Sequence, residues 1–170
     1  MESEKAMTGQ GGRVWSRLWR YGPLLLWLGF IFYASTGEFS ADNTSRIFRP
    51  ILLWLFPDIS EEKMALAHFL VRKAAHFTEY AIMAFLAARA FSTSSWERLR
   101  RGWFFAALAL IVLNALTDEY HQSFVPSRTS SIYDSLIDIT GGLTMLSLYA
   151  FWRWRKSKKM RSAGPEVEAK

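Results

Sequence analysis

Three stretches of this chain carry side chains able to bind or move charge. Arg72, Lys73, His76, Glu79 and Tyr80 fall close together in the first. The second reads DEYHQSFVPSR over residues 118–128, and the third supplies Asp134 and Asp138. Spacings of three, four and seven put Arg72, His76 and Glu79 on one helix face, with Lys73 and Tyr80 on its shoulder. Asp118 and Gln122 share a face by the same rule, and so do Asp134 and Asp138. Arg72, Lys73 and Arg128 are suited to hold a phosphate, diphosphate or carboxylate by charge-assisted hydrogen bonds. Glu79, Asp118, Glu119, Asp134 and Asp138 would orient those cations, with His76 and Gln122 hydrogen-bonding. A second chemistry is open to the same groups: His76, Glu79 or Asp118 as a general base. Ser123, Ser127 and Thr129 are nearby hydroxyls, but no nucleophile-elbow pattern surrounds them. No H-E-x-x-H or similar spacing is present, and the chain has no cysteine, so no metal and no cofactor is assigned.

These residues sit in or beside long apolar runs. Residues 21–37, 102–117 and 139–152 carry no charge at all, and 74–88 is apolar apart from His76 and Glu79. Each run is close to the roughly 20 residues that cross a hydrocarbon core of about 30 Å. With 51% hydrophobic residues in 170, four such runs leave little else for a soluble core. A soluble bundle would show a polar face at 3.6-residue spacing, and LLLWLGFIF shows none. The expected fold is therefore all-α, an integral membrane bundle of four transmembrane helices. The spans are expected at about 17–35, 61–91, 101–120 and 131–153. SRIFRPILLWLF, interrupted by Pro50, is too short to cross and is read as an interfacial helix between the first and second spans. Ser60 is the expected cap of the second span, and Ser130 or Ser131 that of the fourth.

The placement of charge sets the orientation. Basic segments 1–20, 89–101 and 153–170 alternate with acidic segments 36–63 and 118–134. That is the pattern of a multi-pass cell-membrane protein with both termini cytoplasmic. The net charge of +6 then belongs to membrane anchoring rather than to nucleic acid. Residues 1–12 are read as a disordered segment, 13–155 as the membrane domain and 156–170 as a basic cytoplasmic tail. At about 1.5 Å per residue from the cytoplasmic ends, Glu79 lies roughly 15 Å deep, His76 near 20 Å and Lys73 near 24 Å. Asp118 comes out near 25 Å, Asp138 near 22 Å and Asp134 near 28 Å. The polar groups of three helices thus meet in the half away from the cytoplasm. Ionisable groups at such depth cost at least about 2.5 kcal/mol each on insertion scales, so they should face inward. Gly141 and Gly142, one turn below Asp138, are read as small residues that let helices approach.

The combination of Lys73-x-x-His76-Phe77-x-x-Tyr80, Asp118 through Arg128, Asp134 and Asp138-x-x-Gly141 resembles the VanZ-like family. That family more often has glycine where Ser127 stands. The resemblance implies a bacterial membrane protein linked to resistance to the glycopeptide antibiotic teicoplanin. Some relatives carry a phosphotransbutyrylase label, but no coenzyme-binding pattern is present in this chain. The leading expectation is a protein that binds an anionic lipid head group or lipid-linked cell-wall precursor at a polar pocket on the extracytoplasmic side. A membrane-embedded enzyme acting on such a lipid stands second, and a small transporter third.

Overall fold

Pro57, Asp58 and Ser60, followed by Glu61 and Glu62, spell a turn, a cap and an acidic first turn. The computed structural model, which describes residues 2–36, 41–125 and 131–162, folds that stretch accordingly. Ser60 is extended (φ −68°, ψ 151°) and its side chain accepts from the Lys63 amide. The helix behind it, α3, runs Glu61–Ser92. Before it come α1 (Glu2–Ala34) and α2 (Ala41–Leu55), and after it α4 (Glu97–Arg101), α5 (Trp103–Gln122) and α6 (Ile132–Ser162). No strand occurs among the described residues. Side chains are described from Val14 onward, apart from residues 41, 42 and 162.

Several boundaries depart from the expectation. Helical geometry in α1 begins at Glu2 rather than near Arg17. STSSWERLRR (92–101), between the second and third expected spans, contains the short α4. The expected interfacial segment is α2, and Pro50 lies inside it. Helix α6 continues past the expected end near 153 to Ser162. Its last turns are braced by cations stacked four residues on from aromatic rings. Arg155 lies over Phe151 at 5.6 Å, and Lys156 over Trp152 and Lys158 over Trp154 each at 5.4 Å. Ser131 starts this helix: its hydroxyl accepts from the Tyr133 amide at 3.3 Å. Ser130, the other candidate cap, lies outside the described residues.

The helices pack around α3. Its interface with α6 is the largest, α5 packs against both, and α1 lies along α3. The seams are made of small residues: Ala84, Ala87, Ala88, Ala107 and Ala115 are fully buried. A Cβ on Gly141 would stand 2.3 Å from the Phe77 carbonyl oxygen, so α6 touches the backbone of α3 there. A Cβ on Gly142 would stand 2.8 Å from Ile111 Cγ2 on α5. Large apolar side chains point outward instead: Leu26 is 78% exposed, Phe105 75% and Trp54 80%. Among the described helices α5 is the one long and apolar enough, by length and composition, to cross a membrane.

Candidate functional site

Helix α3 divides its polar residues between two neighbours. Arg72, His76 and Glu79 line a cavity of about 590 Å³ bounded by α1, α2, α3 and α5. Their common face is the consequence of the i, i+4, i+7 spacing. From α5 the cavity receives Asp118 and Gln122, whose amide Nε2 donates to Asp118 Oδ2 at 2.9 Å. Five of the ten residues expected at the site therefore meet in one place. The rest of the wall is mainly apolar: Trp27, Phe30 and Ile31 of α1, and Val71 and Ile82 of α3. Phe30, Val71 and Ile82 are exposed as well as lining the cavity, so that wall is open to the surroundings.

The shoulder of α3 faces α6. The Lys73 ammonium forms an ion pair with Asp134 and lies 5.1 Å from the centre of the Phe69 ring. His76 Nδ1 stands 3.3 Å from Asp138 Oδ1, an ion-pair separation without the alignment of a hydrogen bond. Asp138 is 1% exposed and His76 lines the cavity, so His76 joins the buried α3–α6 seam to the open space. Glu119 acts locally. Its carboxylate accepts from the Ser131 amide and tethers the start of α6 to the end of α5. Lys73, Glu119, Asp134 and Asp138 thus stand beside the cavity rather than in its wall. Arg128 lies outside the described residues.

Four buried polar atoms near this centre lack a hydrogen-bond partner among the described residues, besides Asp138 Oδ1. They are Arg72 Nη1, His76 Nδ1, Tyr80 Oη and Asn114 Oδ1. A buried donor or acceptor left unsatisfied costs about 1–3 kcal/mol. Of these unpartnered atoms, Arg72 Nη1 is the one that is permanently a charged donor. No cluster of three or more metal-ligating side chains occurs among the described residues.

Sequence reasoning missed the opposite wall. Trp27 Nε1 donates to the Glu79 carbonyl at 3.0 Å and so fixes α1 against α3 at the height of the site. Ser35 and Thr44 also line the cavity. Ser35 hydrogen-bonds His121 Nδ1 at 3.3 Å, and Thr44 hydrogen-bonds His68 Nε2 at 3.1 Å. Nothing in the spacing of α1 sets Trp27 apart from its other aromatic residues, because the partner is a backbone oxygen 52 residues away. Residues 21–153 match the model of a protein family described as VanZ/LLP1. The chain matches no curated protein and no solved structure.

Proposed function

Because the chain belongs to the VanZ/LLP1 family, we propose that it is a four-span membrane protein whose cavity holds the anionic part of a lipid head group or cell-envelope precursor. The membrane assignment is supported by the distribution of side chains: apolar bulk outside, alanine, glycine and polar groups inside. Helices α1, α3 and α6 are 33, 32 and 31 residues long, ample for a bilayer. Their charged residues lower the average apolarity of α3 and α6, which is why composition alone singles out α5. With both termini cytoplasmic, the cavity opens in the half of the bilayer away from the cytoplasm.

The observation that carries the binding reading is the Arg72 guanidinium, with Nη1 buried and unpartnered, in a cavity whose walls are otherwise mainly apolar. A phosphate or carboxylate would satisfy it by a charge-assisted, bidentate contact, while acyl chains lie along Phe30, Val71 and Ile82. Native mass spectrometry of the purified protein should find bound anionic lipid that Arg72→Gln loses while staying folded. Equal retention by Arg72→Gln overturns the reading. An effect on teicoplanin susceptibility is proposed to follow from this binding, and the same variant should abolish it in cells that express the protein.

One observation favours a second reading, a membrane-embedded enzyme with His76 as general base. Asp138 stands beside His76 Nδ1, as an orienting carboxylate does for a catalytic imidazole, and His76 faces the cavity. This reading requires turnover of a labelled envelope lipid in liposomes, lost in His76→Gln. Saturable binding without turnover excludes it.

A further inference from the structure

The end of the bundle away from the cavity carries charge that the binding reading does not use. Helix α6 runs on past Trp152, and residues 153–162 are rich in Lys and Arg and hold no acid. Four of these cations rest on aromatic rings. Arg155, Lys156 and Lys158 lie over Phe151, Trp152 and Trp154 at 5.6, 5.4 and 5.4 Å. Each ring is four residues earlier in the same helix, so each side chain runs back towards the bundle by about 6 Å. Arg153 reaches across to α5, its guanidinium 5.7 Å from the centre of the Trp103 ring.

Phe151, Trp152 and Trp154 are more than half exposed, and so are Trp19 of α1 and Trp96 beside α4 at the same end. Exposed aromatics gathered at one end of a membrane bundle mark the level of the lipid head groups. The cations folded back onto them stand at that level rather than out in the water beyond. No described carboxylate neutralises them. Glu97 pairs instead with Arg101 at 2.6 Å, and none of the described ion pairs reaches Arg153, Arg155, Lys156 or Lys158. At 3.6 residues per turn these four positions are spread around the circumference of α6. A helix lying flat on a membrane would gather its cations on one face. This spread suits a helix that leaves the bilayer upright, with head groups around it.

We propose that Arg153, Arg155, Lys156 and Lys158 form a collar that binds anionic phospholipids of the cytoplasmic leaflet, a second lipid site separate from the cavity. This rests on the four-span reading above and not on what the cavity holds. The test is made in Arg72→Gln protein, so that the cavity does not contribute. Delipidated protein is titrated with phosphatidylglycerol and phosphatidylcholine of identical acyl chains and followed by native mass spectrometry. Phosphatidylglycerol should bind about tenfold more tightly at low salt and lose most of that preference at high ionic strength. Replacing the four collar residues together by Gln should bring the two lipids to parity. Arg98→Gln/Arg101→Gln removes charge from α4 and should leave the preference nearly unchanged. Equal affinity of the Arg72→Gln protein for the two lipids overturns the collar. An equal loss in the α4 variant overturns it too, because net charge rather than the collar would then set the preference. Tight binding of an acidic peptide, without discrimination between the lipids, would assign a protein partner and overturn the lipid. Should the fourfold variant fail to fold, the comparison of the two lipids decides alone. Binding at the collar survives Arg72→Gln, so the cavity reading is scored separately, by the lipid which that variant loses.

Discussion

Lys73 and Arg72 are neighbours in sequence with different situations. Lys73 is neutralised across the α3–α6 seam by Asp134, while Arg72 Nη1 is buried without a partner in the cavity wall. Spacing puts both near one face, but a face is not a partner, and nothing in the sequence says which carboxylate each cation meets. Asp118 and Gln122 are legible as a pair because their bond closes within one helical turn. The Lys73 pair bridges 61 residues and is not. The two cations should respond differently to truncation. Lys73→Met leaves a carboxylate that is mostly buried, and is expected to cost about 3 kcal/mol, with Lys73→Met/Asp134→Leu recovering most of it. Thermal unfolding in detergent measures this. A double variant no better than the single one would show that the pair is not the reason. Arg72→Gln should leave the melting temperature nearly unchanged and act on ligand binding instead.

Among elements, α3 is the most legible. Its cap, its acidic first turn and its length to within a residue or so follow from local signals at Ser60, Glu61, Glu62 and the apolar run behind them. The far end of α6 is less so, because apolarity ends at Trp152 while helix propensity and cation–aromatic stacking carry the helix ten residues further. The sequence marks Gly141 as a point of close approach, and the backbone contact at Phe77 is that approach. Gly141→Ala should therefore destabilise the bundle by about 1–3 kcal/mol or more, since a rigid carbonyl cannot step aside as a side chain can. Gly142→Ala should cost less, because Ile111 has rotamers to use. The two melting temperatures in one detergent give the order, and the reverse order would refute the backbone contact.

For the molecule as a whole, the helical architecture and family are readable from the sequence, and the cavity only along its α3 and α5 walls. Its outer wall is built from α1 and α2, whose Trp27, Ser35 and Thr44 become lining residues only when the helices meet. The proposed topology is open to a direct check, since the chain has no cysteine of its own. A cysteine introduced at Ser123 should react with an impermeant maleimide in intact cells, and one at Ser157 only after lysis. The opposite pattern would invert the orientation and move the cavity to the cytoplasmic side. An opening of the cavity to the hydrocarbon beside Phe30, Val71 and Ile82 would have a consequence for how occupancy must be reckoned. In a bilayer, a ligand arriving by that door never leaves the leaflet. Its effective concentration is then a mole fraction in two dimensions, indifferent to the volume of water outside. Occupancy would track the lipid composition of the cell that makes the protein, and diluting a vesicle suspension would not empty the site.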